Sequence, residues 1–357
     1  VGEDTMKETK HLEKEFPIVG IGASAGGLEA LSVFLSNVPE KSGMAFVIVQ
    51  HMEPKRDGIL VELLQKATTM KVAQVKENTA IHPDCVYVIP PNKDMSIQHR
   101  LLHLFDHTAP HNLRLPIDFF FRSLADDQQE KSVGVVLSGM GADGTSGLRA
   151  IHEKGGVVFI QEPSSAKFEG MPNSAIEEGI ADVVAEVETL PSKIIAYLEQ
   201  RQHIDMSEND PSDDVLSSFD NIMVLLRAQT GHDFSSYKKN TVYRRIERRM
   251  GIHQINKIAA YVHFLKENPQ ELELLFKELL IGVTSFFREP MEWDLLKNKV
   301  LPALLAERSP SNTLRVWVSG CSTGEEAYSL AIVFKEVLDQ LKPSQDFTMQ
   351  IFATDLD

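Results

Sequence analysis

Five short runs in the first half of the chain are apolar at nearly every position, and this constrains the fold more than any other feature. They are "PIVGIG" (17–22), "AFVIVQ" (45–50), "CVYVIP" (85–90), "SVGVVLSG" (132–139) and "GVVFIQ" (156–161). A strand with one face in water alternates apolar and polar residues; a continuously apolar run is a strand buried on both faces. Segments of helical period separate the runs. Strand and helix in alternation give a parallel sheet wrapped on both sides by helices, so an α/β, doubly wound domain is expected over 16–195.

The texture then changes. Residues 1–15 are charged and polar and read as a disordered lead-in, and 196–214 read as an acidic linker. From 215 to 305 the pattern is helical without a strand signal, predicting an all-α domain. Strand signals return at 314 and 349, so 306–357 reads as the start of a Rossmann-like sheet. The chain begins without Met and stops just after a strand-like run, so a fragment at both ends is expected.

Composition excludes some classes. With 43 % apolar residues but no apolar run near 18, a transmembrane helix is not expected. A net charge of −15 argues against a general nucleic-acid binder. Cys85 and Cys321 stand in no metal-ligand spacing, which points to a reducing cytoplasm and to no metal site.

The stretch "FPIVGIGASAGGLEAL" (16–31) has two readings. Gly20, Gly22 and Ala25 resemble a dinucleotide-binding turn, but that turn needs a carboxylate at the end of the second strand for the ribose hydroxyls. Gln50 and His51 stand there instead, which disfavours a nicotinamide-dependent oxidoreductase. In the other reading, Ser24, His51 and Asp143 each follow an apolar run. Residues just past the carboxyl ends of parallel strands converge on one crevice, so the three can meet. Ser24 would attack a carbonyl, His51 take its proton, and Asp143 orient the imidazole. The helix starting near Gly26 would offer N–H groups to an oxyanion, and the glycines around Met140 a further donor. Each residue also has an ordinary reading: a cap, a satisfied histidine, a turn aspartate. His82, His99, His103, His107 and His111 compete as base, and spacing does not choose among them.

Residues 17–195 resemble the catalytic domain of chemotaxis-receptor protein-glutamate methylesterases of the CheB type. The resemblance rests on "IVGIGASAGGLEAL", "VIVQHMEP", "VYVIPPNKDM", "LPIDFFFRSLA", "GVVLSGMGADGTSGLRAIHEKGG" and "QEPSSAKFEGMPNSAIEEGIAD", in that order. It implies a cofactor-free serine hydrolase that demethylates receptor glutamates, and extends to glutamine deamidation. It places the nucleophile at Ser24, the base at His51 and the acid at Asp143. The family's usual N-terminal receiver domain has no counterpart in the roughly 16 residues before the first strand, so phosphorylation control is expected to be absent.

The second half is basic where the chain is acidic: 234–250, "FSSYKKNTVYRRIERRM", holds six basic residues and one acid. Val242, Ile246 and Met250 share one helical face, with Arg244, Arg245, Arg248 and Arg249 on the other side. A basic stripe over 238–249 is expected to meet an acidic receptor surface. Further on, "LRVWVSGCSTGEEAYSLAIVF" reads as strand, glycine turn and helix, and "QIFATDLD" as a strand ending in an acid. No Lys follows the second glycine, so this is no P-loop; an adenosyl cofactor fits better. Residues 215–357 resemble the start of chemotaxis-receptor glutamate O-methyltransferases of the CheR type, through "ELLIGVTSFFREP", "VWVSGCSTGEEAYSLA" and "FATDLD". The resemblance implies S-adenosylmethionine as cofactor, with Thr284, Arg288, Glu326 (failing that Glu325) and Asp355 around it. Gly282 stands where that family often has Asn. Both resemblances imply methyl-accepting receptors as partners. The contrasting expectation is a scaffold that keeps both folds without turnover.

Overall fold

A computed structural model of the chain describes residues 16–51, 58–106, 115–205, 213–234, 237–280, 284, 286–306, 312–342 and 346–355. They fall into two compact units, Val1–Asn268 and Pro269–Asp357. His107 and His111 lie outside the described residues. No described helix is long and apolar enough to cross a membrane.

The first unit opens with β1 (Ile18–Ala23), α1 (Gly27–Ser36), β2 (Ala45–Gln50), α2 (Ile59–Ala67), β3 (Lys71–Gln74), β4 (Thr79–Ala80) and β5 (Cys85–Val88). It continues through β6 (Lys93–Gln98), β7 (Leu101–Asp106), α3 (Pro116–Gln128), β8 (Val133–Val136), α4 (Thr145–Glu153), β9 (Val157–Gln161), α5 (Gly170–Glu177) and β10 (Val183–Ala185). Four helices follow: α6 (Leu190–Asp205), α7 (Asp213–Thr230), α8 (Lys239–Ile252) and α9 (Ile258–Glu267). Seven strands form one sheet in the order β10-β9-β8-β1-β2-β5-β3, every pair parallel. Strands β4, β7 and β6 form a small antiparallel sheet beside it.

All five apolar runs are strands of the large sheet. Its edges, β3 and β10, were not expected, because four and three residues are too few to show a period. Alternate residues of β1 face opposite cores. Val19 and Ile21 pack with Leu31, Phe34 and Leu35 of α1 and Ile194 of α6. Ile18 packs in the opposite core, which holds Phe120, Phe121 and Leu124 of α3. Gly20 and Gly22 let α3 lie against the sheet. A Cβ on Gly20 would be 2.8 Å from Leu124 Cδ2, and one on Gly22 2.5 Å from Ile117 Cγ2. These are the glycines that look like a dinucleotide signature; here they accommodate helix packing.

Residues 213–306 hold helices and no strand among the described residues, as the periodicity predicts. The second unit comprises α10 (Pro269–Leu279), α11 (Pro290–Leu295), one π turn (Leu296–Val300), α12 (Leu301–Ala306), β11 (Thr313–Ser319), α13 (Glu325–Leu341) and β12 (Thr348–Thr354). β11 and β12 pair in parallel over seven residues.

Two expectations need correction. The stretch 196–214 does not begin as a linker, because α6 runs on to Asp205 and Gln200 on it is buried. The basic face of α8 is not one exposed stripe. Val242, Ile246 and Met250 are buried as expected, but so are Arg248 and Arg249. Arg248 is turned inward because Asp182, at the start of β10, receives its Nη2.

Candidate active site

Ser24, His51 and Asp143 follow β1, β2 and β8 at the carboxyl end of the sheet, and β1 lies between the other two. Ser24 and His51 line one cavity of about 360 Å³ with Gly26, Gly27, Gln50 and Lys167. His51 Nε2 is 2.6 Å from Asp143 Oδ2. A carboxylate can only accept, so the shared proton sits on Nε2 and leaves Nδ1 as the basic nitrogen of the ring. The imidazole of His103 meets Glu77 instead, through Nδ1 at 3.4 Å.

Ser24 sits on a turn held from behind. Its N–H donates to Ser138 O at 3.1 Å, and its own carbonyl accepts from Gly27 N at 2.9 Å. Ser138, only 1 % exposed, also donates its hydroxyl to Ala25 O at 2.9 Å and receives Phe168 N–H at 3.0 Å. Gly139 must be glycine here, since a Cβ would press on Met171 and lie 3.1 Å from Ser24 Cβ. Gly26 adopts φ +72°, a conformation costly for residues with a Cβ, and no side chain caps α1. The start of α1 thus lies beside Ser24; its first N–H, that of Gly27, is given to Ser24 O, so the N–H groups of the next residues are the ones an oxyanion there would draw on.

Asp143, 5 % exposed, is held by more than His51. Its Oδ1 accepts from Asp118 N at 3.0 Å and its Oδ2 from Ile117 N at 3.1 Å, both in the first turn of α3. Asp118 in turn accepts from Gly144 N at 3.1 Å and Gly147 N at 2.7 Å, at the start of α4. Each aspartate thus caps the helix that carries or follows the other, and neither carboxylate of the pair can rotate without breaking a cap. Neither helix has a capping side chain of its own. Asp118 was not singled out from sequence; the signal lay in Pro116 at the helix start with an acid two residues on.

Burial, then the charge of Asp143, raises the Asp118 carboxyl above its ordinary 3.8, against the lowering effect of Gly147 and Gly144 N–H. The folded state therefore holds this proton more tightly than the unfolded chain. Stability contributed by that proton is present below the ordinary carboxylate range and is lost as pH rises through the raised value. Asp118→Asn, neutral at every pH, should match or exceed the native Tm at pH 7, and the difference should vanish near pH 3. Scanning calorimetry at the two pH values measures this; a stabilisation that grows toward acid would contradict it.

In the second unit, the turn between β11 and α13 is tied to the end of β12. Ser322 N donates to Asp355 Oδ2 at 2.5 Å, and Gly320 N to Thr354 O at 2.8 Å. Asp355 is thereby brought to the glycine turn. Glu326 is exposed on the first turn of α13. The segment with Thr284 and Arg288 lies along the same helix: Phe287 N donates to Ser329 Oγ at 3.0 Å, and Phe286 lies 6.4 Å from the Tyr328 ring. A parallel strand pair, an uncapped helix start at Gly324 and an acid at the second strand's end fit the amino-acid and ribose portions of an adenosyl cofactor.

Family models match three consecutive stretches: CheB methylesterase over 19–194, the all-alpha domain of CheR methyltransferase over 217–280, and its SAM-binding domain over 282–357. A 104.1 kDa protein of Rhodobacter capsulatus is 38 % identical over 84 % of this chain and 33 % of its own length. A putative protein-glutamate methylesterase/protein-glutamine glutaminase of Leptospira interrogans is 34 % identical over 52 % of this chain and 99 % of its own. A protein-glutamate methylesterase/protein-glutamine glutaminase of Desulfotalea psychrophila is 33 % identical over half of each chain. The crystal structure of the Thermotoga maritima CheB methylesterase catalytic domain is 31 % identical, with TM-score 0.48, over 51 % of this chain and 98 % of that one. The chain thus spans a third of the Rhodobacter protein and half of the Desulfotalea one.

Proposed function

The chain belongs to the CheB methylesterase family, and from that premise we propose that it hydrolyses glutamyl methyl esters on chemotaxis-type receptors, with Ser24 as nucleophile, His51 as base and Asp143 as the acid that orients it. The observation that carries this reading is the 2.6 Å His51–Asp143 contact at the rim of the cavity that Ser24 lines. Ser24 Oγ attacks the ester carbonyl carbon and passes its proton to His51 Nδ1. The developing oxyanion lies at the start of α1. His51 returns the proton to the methoxy group, and methanol leaves. Water, deprotonated by His51, then splits the acyl-enzyme to glutamate. The same steps on a glutamine side chain would release ammonia, in keeping with the names of the relatives. None of the steps requires a cofactor.

The second half extends the proposal to the reverse chemistry on the same side chains, in a protein that works in the cytoplasm beside its receptors. S-adenosylmethionine would supply the methyl group. Asp355 and the 320–324 turn are the proposed seat of its ribose and amino-acid ends, with Thr284, Arg288 and Glu326 around them. Incubating the protein with a methyl-esterified receptor peptide and measuring methanol tests the central claim: release above the spontaneous rate is expected, and its absence from a folded protein would refute it.

A further inference from the structure

Arg248 and Asp182 form an ion pair whose two side chains are 4 % and 2 % exposed. Arg248 lies in the stretch matched by the methyltransferase all-alpha model, and Asp182 in the stretch matched by the methylesterase model. Arg248 Nε also donates to Gly156 O at 2.9 Å, while Asp182 Oδ2 accepts Val158 N–H at 2.8 Å. Around the pair, Gln200 of α6 is buried and donates to Met250 O and Ile255 O, at 3.1 and 2.6 Å, where α8 ends. Gly251 admits Tyr197: a Cβ there would be 3.0 Å from the ring. Tyr197 in turn meets Phe159 of β9 edge to face, and Ile252 packs against the core of the sheet.

We infer that α8 is docked on the methylesterase domain in its resting state, so that α8 and the strands β9 and β10 beneath it open and close together. The buried pair is the reason. A carboxylate and a guanidinium taken out of water hold their place only together, and losing one partner leaves an uncompensated charge in the interior. Asp182 and Arg248 therefore have reason to be charged and buried only if the dock is the resting state. Gly156, Val158 and Asp182 lie at the amino ends of β9 and β10, whereas Ser24, His51 and Asp143 follow the carboxyl ends of their strands. The dock is thus at the opposite end of the strands from the catalytic crevice, and this inference stands independently of the catalytic reading.

Hydrogen–deuterium exchange on the full chain tests it, with Arg248→Met and Asp182→Asn compared to the native protein. Exchange in peptides covering both α8 and β10 should accelerate roughly a hundredfold in each variant. Peptides of β2, in the middle of the sheet, should stay protected. Unchanged exchange in α8, or acceleration confined to one side of the dock, would overturn the inference. If a single substitution unfolds the whole protein, Asp182→Leu combined with Arg248→Leu decides. Recovery of β2 protection in the double variant marks a coupled pair, and failure to recover it counts against the dock.

Discussion

Ser24→Ala is expected to reduce methyl-ester hydrolysis roughly 10⁴-fold or more, with the folded protein otherwise unaltered. The chemistry requires an oxygen nucleophile where Ser24 stands, lining the same cavity as His51. The turn does not depend on that oxygen. It is held by backbone contacts to Ser138 and Gly27, and by the absence of a Cβ at Gly26 and Gly139. Ser24 is half-buried and caps no helix, so its truncation should cost less than about 0.5 kcal/mol of stability. Methanol release and thermal unfolding, measured on the same preparation, separate the two effects. Near-native release would remove Ser24 from the mechanism; a collapsed Tm with residual rate in proportion would make it structural.

Much of this site was legible in sequence because its parts sit where strands end. A continuous apolar run announces a strand buried on both faces, and the polar residues just after it fall at the carboxyl end; that rule places Ser24 and His51 there among other candidates, and the family resemblance singles them out. The missing acid after "AFVIVQ" was equally readable, and the packing of Gly20 and Gly22 against Leu124 and Ile117 gives those glycines another purpose. What stayed hidden depends on contacts between distant residues. Asp118 looks like an ordinary helix-start acid; its real partners, Gly144 and Gly147, lie 26 and 29 residues away. Ser138 looks like part of a strand end, yet it fastens the turn that carries Ser24. Arg248 is 66 residues from Asp182, and helical periodicity places it opposite the apolar face of α8. Periodicity cannot show that the opposite side is also covered. The edge strand β10 failed for a related reason, since three residues carry no pattern and only their neighbour β9 makes them a strand.

Asp143→Asn should be nearly as damaging as loss of the nucleophile, roughly 10⁴-fold in kcat, though it preserves shape. The native carboxylate accepts three hydrogen bonds, from His51 Nε2, Ile117 N and Asp118 N. An amide has one oxygen and one NH₂ group. Asp118 N is served by Oδ1, and Ile117 N by Oδ2 together with His51 Nε2, so in either orientation the NH₂ opposes a backbone N–H; with the oxygen kept on Asp118 N, the NH₂ faces His51. A donor there forces Nε2 to accept, which moves the ring proton to Nδ1, the nitrogen that must take the proton of Ser24. The base is then blocked by its own hydrogen, and the imidazolium formed in the transition state loses its counter-charge. The stability cost should be far smaller. It consists of a weakened cap and lost charge at the start of α3, about 1–2 kcal/mol, partly offset by relief of the repulsion that raises the Asp118 carboxyl. The expected signature is therefore a folded protein with KM for a methyl-esterified peptide near native and kcat collapsed. A variant that keeps kcat within about tenfold would show that Asp143 serves mainly as the cap of α3.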